Sequence, residues 1–231
     1  MSPSTRSSRS STSGGRRRGP DRHPRPTTVL LVRHGKTSTT GTLLPGRAPG
    51  LHLDDTGRSQ ADRAAELIGE LPAVAAVYTS PLERARETAA PIGSAVGLRP
   101  KVDKGLLECD FGEWTGKELK ALMKLPEWQL VQRAPSSFRF PGGESFTEMQ
   151  VRIVSTLDRL RAAHPGEVIV CVSHADPIKA AVAHALGTHL DLFQRIVIST
   201  CAVSALSWSV AGPIALTVNT TGRSLKDLAP S

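Results

Sequence analysis

Three short apolar runs, each giving way to a helix-forming stretch, constrain this chain more than any other feature. Val29–Val32 reads as a buried strand, Val74–Tyr78 as a second, and the segment EVIVCVS, residues 167–173, as a third. Helical signals follow each run. Residues from Thr56 to about Glu70 read as a helix capped by Asp55 or Thr56, and Pro177 to Leu186 as another. Between them SPLERARETAAPIGSAVG announces a helix start, with Ser80 at the N-cap, Pro81 at the first helical position and Glu83 closing a capping box. Pro91 is expected to kink or end that helix. Strands alternating with helices imply a layered α/β domain.

The remaining stretches fit around this frame. Residues 98–145 are punctuated by Pro and Gly, with one short helical stretch near TGKELKALMKL, and read as an excursion from the sheet. Phe146, Met149, Ile153, Leu157 and Leu160 form a core-facing helical stripe. From Arg195 to Gly222 the chain is β-rich and broken by turns. No run of eighteen apolar residues is present, which excludes a transmembrane helix, and Cys109, Cys171 and Cys201 form no metal-binding spacing. They suit a reducing compartment, and the expected location is cytoplasmic.

The formal charge of +8 suggests nucleic-acid binding, but residues 1–28 carry +6 of it, from seven arginines against Asp21. Residues 1–27 hold no Leu, Ile, Val or Phe, so a disordered basic extension is expected there, ahead of a domain over 28–222 and a tail over 223–231. A solvated extension is the preferred reading. A transit peptide, a start codon set too far upstream or an arm for an anionic surface would share its composition.

Chemistry gathers at the strand ends. The first strand ends in Arg33-His34-Gly35, the second feeds a helix carrying Arg84 in its first turn, and the third ends in Ser173-His174. Ligands of open α/β sheets bind beyond the carboxyl ends of the strands, where helix N-termini favour anions. If the strands are parallel neighbours, two arginines and two histidines converge on something anionic, most simply a phosphate. Arginine neutralises phosphoryl oxygens without exchanging protons, and a neutral imidazole can attack phosphorus. A leaving alkoxide then needs a proton, for which LLECDFGEWTG offers Glu108, Asp110 and Glu113.

These residues carry a resemblance. LVRHGKT resembles the RHG signature of the histidine phosphatases, the phosphoglycerate mutase-like superfamily, and LHLDDTGRSQA, SPLERARETA, LLECDFGEWTG, PGGES and VSHADPIK resemble its further segments in order. The resemblance implies a three-layer α/β/α sandwich with a central, mostly parallel sheet. It makes His34 the phosphorylated nucleophile and places Arg33, Arg84 and His174 around the phosphoryl group. Glu108 would be the acid and later the base, with no metal or cofactor required. Thr37, Thr40, Arg47 and Ala175 are also expected beside the substrate, where Arg47 either meets a second charged group or faces solvent.

There are departures from the pattern. Thr40 stands where the first motif usually has asparagine, and Ala175-Asp176 replaces the Gly-Gly of the last. Asp176 would either repel a second anionic group of the substrate or hold a cationic one. The resemblance implies hydrolysis of a small phosphorylated metabolite, with a phosphoglycerate mutase-type phosphomutase or a non-catalytic phosphate-binding module as alternatives. No specific nucleic-acid or membrane partner is expected, and a homo-oligomer is compatible with the sequence.

Overall fold

In a computed structural model the described residues are 25–222. The chain runs from β1 (Thr27–Arg33) through α1 (Asp55–Gly69), β2 (Ala76–Thr79), α2 (Glu83–Ala95) and β3 (Lys101–Val102). It continues through α3 (Leu119–Leu122), α4 (Trp128–Arg133) and α5 (Phe146–Ala163), then β4 (Val168–Ser173), α6 (Ala175–Ala185), β5 (Val203–Ser209) and β6 (Gly212–Thr220). The strands form one sheet in the order β3-β2-β4-β1-β5-β6. β1, β2, β3 and β4 are parallel, and β5 and β6 join antiparallel.

Alternation along the strands builds the layers. Leu30 and Val32 of β1 join Val170 and Val172 of β4 and the buried faces of α1 and α2. Val29 and Leu31 join Ile169, Cys171 and the stripes of α5 and α6 on the other side. A strand's side chains point alternately to opposite faces, so apolar runs without polar alternation require cover on both. The expected three-layer α/β/α sandwich is the fold, and full burial of each Leu or Val contributes about 1.5–3 kcal/mol.

Several local expectations change. The cap of α1 is Asp54, whose Oδ1 accepts the Gly57 N–H at 2.7 Å, rather than Asp55 or Thr56. No capping box forms at Ser80; α2 starts after Leu82 without a side-chain cap. The capping box belongs instead to Ser145 and Glu148 at the start of α5. Pro91 does not end α2, which continues to Ala95, because burial of Ala85, Ala89, Ile92 and Gly93 outweighs one missing helical hydrogen bond. The excursion begins later than residue 98, since β3 still pairs with β2.

That excursion packs into the core on the α5 and α6 side of the sheet. All five phenylalanines of the chain meet in a chain of ring contacts from Phe111 through Phe140, Phe138 and Phe146 to Phe193, with Trp114 against Phe138 and Phe140. Edge-on ring pairs add about 0.5–1.5 kcal/mol each beyond area burial. The rings therefore fix the segment against α5 and the rest of that core.

β1 starts at Thr27, one residue before the position expected to open the domain. Thr27 lies in β1, pairs with Trp208, and its hydroxyl donates to the His164 carbonyl and accepts the Gly166 N–H. The greater part of the basic extension, residues 1–24, and the tail over 223–231 lie outside the described residues. Among the described residues no helix is long and apolar enough to cross a membrane.

Candidate active site

β2, β4 and β1 are consecutive in the sheet, so their carboxyl ends share one edge. His34 follows β1, Arg84 sits in the first turn of α2, and His174 links β4 to α6. The expected convergence occurs. The Arg84 Nε lies 3.3 Å from His34 Nε2, and the rings of His34 and His174 are 5.2 Å apart, centre to centre. Arg33, His34, Arg84 and Glu108 line one cleft of about 390 Å³ together with Thr37, Thr40 and Ala175.

The hydrogen bonds define the protonation of His34. Its Nδ1 is 2.8 Å from the Gly35 carbonyl, which can only accept, so the proton is on Nδ1 and Nε2 keeps its lone pair. Burial pushes this imidazole well below the usual histidine range, and the charges of Arg84 and Arg33 add to the effect. His174 shifts the same way, first through burial and then through Arg84. His34 is thus a neutral ring at physiological pH.

Glu108 moves in the opposite direction. Its carboxyl is 8% exposed and is pushed up to about 7, chiefly by burial and next by the charge of Asp176; the Cys109 N–H and Arg84 partly oppose this. Of the three acids in this loop, Glu108 lines the cleft, whereas Glu113 is exposed and Asp110 is held by Arg47 and the Gly112 N–H. The site therefore combines an unprotonated ring nitrogen with a carboxyl that titrates near neutrality.

Two buried guanidinium donors and one buried ring nitrogen are left open at the site. Arg33 Nε, Arg84 Nη1 and His174 Nδ1 have no hydrogen-bond partner among the described residues. An unsatisfied buried polar group costs about 1–3 kcal/mol. The other atoms of these side chains are anchored: Arg33 Nη1 donates to the Ile198 carbonyl at 2.7 Å, Arg84 Nη2 to the Gly46 carbonyl at 2.7 Å, and His174 Nε2 lies 2.8 Å from the Ser80 hydroxyl. Two guanidiniums with open donor positions beside a nucleophilic ring suit a phosphoryl group.

A profile of the histidine phosphatase superfamily (branch 1) matches residues 29–221. This chain belongs to the histidine phosphatase superfamily. A bifunctional protein of Mycobacterium tuberculosis is 33% identical over 201 residues, which cover 85% of this chain and 55% of that protein. The chain thus spans about half the length of that longer relative. Phosphoserine phosphatase 1 of Hydrogenobacter thermophilus is 28% identical over 198 residues, covering 84% of this chain and 92% of its own. The solved structure of a mycobacterial glucosyl-3-phosphoglycerate phosphatase superposes with a TM-score of 0.76 at 25% identity, over 85% of this chain and 100% of that one.

The histidine phosphatase motifs acquire physical reasons here. In SPLERARETA, Ser80 holds His174 and Arg84 contacts His34. Thr88 in the same segment accepts the Gly35 N–H through its hydroxyl at 3.0 Å. In LHLDDTGRSQA, the Gln60 side-chain oxygen accepts the Lys36 N–H at 3.0 Å. Gly57 lies so close that an added Cβ would sit 2.0 Å from the Lys36 carbonyl oxygen. Gly57→Ala is therefore expected to cost about 1–3 kcal/mol of stability, measured by denaturant unfolding, because backbone must move.

Ser80, singled out only as a helix cap, and Thr88, Gln60 and Glu144, which the motifs contain without marking, are supporting residues of the site, as is Arg152 outside the motifs. Arg152 of α5 donates to the carbonyls of Gly105, Leu107 and Glu108, and bonds Glu144 twice. Glu144, from PGGES, also binds Arg47 at 2.9 Å. Arg47 is consequently not free for substrate. Its Nε donates to the Glu108 carbonyl at 2.8 Å, its remaining nitrogens face Asp110 and Glu144, and it is absent from the cleft wall. It secures the loop carrying Glu108. Thr40 also acts locally, its hydroxyl accepting the Thr37 N–H at 2.9 Å and meeting the Thr37 hydroxyl at 3.0 Å.

Proposed function

We propose that this chain is a phosphomonoester hydrolase working through a phosphohistidine on His34. The observation that carries this reading is the lone pair of His34 Nε2 beside Arg84, on the same cleft as a Glu108 carboxyl held near neutrality. The His34 lone pair forms the N–P bond while the bond from phosphorus to the leaving oxygen breaks. That oxygen takes the proton of Glu108. The resulting Glu108 carboxylate removes a proton from water, whose oxygen bonds to phosphorus. The N–P bond breaks, its electron pair returns to Nε2, and phosphate departs. Arg33, Arg84 and His174 stabilise the charge of the transferring group throughout. The chemistry requires no metal or cofactor.

The named activities of the phosphoserine phosphatase and the glucosyl-3-phosphoglycerate phosphatase support hydrolysis of a small phosphorylated metabolite over phosphoryl isomerisation. The test is a panel of phosphomonoesters scored for released inorganic phosphate, with isomerisation of 3-phosphoglycerate scored in parallel. Phosphate release is the expected result. Isomerisation without release would replace the hydrolase reading with a mutase. For alkyl phosphates kcat/KM is expected to fall as pH rises through about 7, because the first step needs the protonated Glu108.

A further inference from the structure

The cleft extends beyond the groups around His34, and its outer wall has a different chemistry. Leu43, Leu44, Pro45, Leu119, Ile196 and Val197 line it. The first five are half-buried, and Val197 is 65% exposed. Apolar side chains left uncovered along a concave site are what a ligand's apolar body covers.

The charges on this wall are already committed. Its basic side chains among the described residues are Arg33, Arg84 and Lys179. The arginines stand at the nucleophile. The Lys179 ammonium lies 3.4 Å from Asp176 Oδ1 and donates to Gln194 Oε1 at 2.9 Å. Both members of the ion pair have side chains less than a fifth exposed, so separating them would leave a partly buried charge alone. Arg47, a candidate cation for a second charged group, is tied to Glu108, Asp110 and Glu144 instead. A second anion on the substrate would find no uncommitted cation on this wall, because Asp176 and Gln194 already hold Lys179.

We infer that the substrate is a phosphomonoester whose body beyond the phosphate is uncharged and apolar, and that a second anionic group there is selected against. This rests on the hydrolase reading above. Of the two roles open to Asp176, holding a cationic group of the substrate is the one its pairing with Lys179 opposes; against an anion Asp176 acts by keeping the Lys179 ammonium occupied.

The test uses two primary alkyl phosphates of equal chain length, one ending in a methyl group and one in a carboxylate, with 4-nitrophenyl phosphate as reference. Their leaving alcohols are nearly alike, so the ratio of kcat/KM reads the outer wall, and any effect on Glu108 cancels. The methyl-ended ester is expected to be preferred about tenfold or more, equivalent to about 1.4 kcal/mol. Asp176→Asn, which releases Lys179, is expected to narrow that ratio. An equal or inverted ratio in the unaltered protein, or no turnover of either alkyl ester while the reference is hydrolysed, overturns the substrate class and leaves the hydrolase reading standing. An unchanged ratio in Asp176→Asn overturns the role of Asp176. Hydrolysis of none of the three compounds overturns the hydrolase reading and the inference with it.

Discussion

Replacing His34 with alanine is expected to lower turnover by about 10³-fold or more, and to remove acid-labile phosphate labelling of the protein at the same time. The size follows from the role: without the ring nitrogen no N–P bond forms, and Arg33 and Arg84 can only bind the substrate. Loss of folding would not be the cause. The buried imidazole is held neutral among positive charges, and Arg84 retains its anchor on the Gly46 carbonyl. Labelling by a phosphorylated substrate after acid quench, with far-UV circular dichroism as the folding control, separates the outcomes. Label retained in His34→Ala would place the nucleophile elsewhere.

Glu108→Gln is expected to slow alkyl phosphate hydrolysis by about 10²–10⁴-fold and aryl phosphates with acidic leaving groups far less. The amide keeps the shape but cannot donate the proton that a poor leaving group requires. Equal slowing across good and poor leaving groups would remove Glu108 from the acid role. Stability should move the other way. Because the folded carboxyl titrates near 7, above its ordinary range, its protonated form contributes stability at low pH that is lost as pH rises through about 7. Above that pH the variant is expected to be more stable than the parent, by up to about 3 kcal/mol, in denaturant titrations at pH 5 and pH 8.

Much of the fold was legible because its signals are local. Val29–Val32 and residues 167–173 are too apolar to face water on either side, which required helices on both faces. The stripe from Phe146 to Leu160 needed only its period to be placed against the core. The strand ends carrying His34, Arg84 and His174 were legible for the same reason, since a parallel α/β sheet puts such junctions on one edge.

Other residues misled because a local signal had a distant competitor. Ser80 has the composition of a helix cap, but its hydroxyl serves His174, ninety-four positions along the chain. Pro91 has the composition of a helix end, but α2 continues past it to Ala95, with buried side chains on both sides of it. Arg47 looked free because its partners Glu108, Asp110 and Glu144 come from two later segments.

By itself the sequence determined the layered α/β architecture, the family, and which side chains stand at the carboxyl edge of the sheet, since period, turn chemistry and motif spacing are properties of neighbouring residues. Tertiary structure alone decided that His34 carries its proton on Nδ1, that Glu108 is driven toward neutrality, and that Arg47 and Lys179 are occupied. The reason is physical: desolvation and hydrogen-bond partnership depend on which distant segments close over a group, and no stretch of sequence contains both partners.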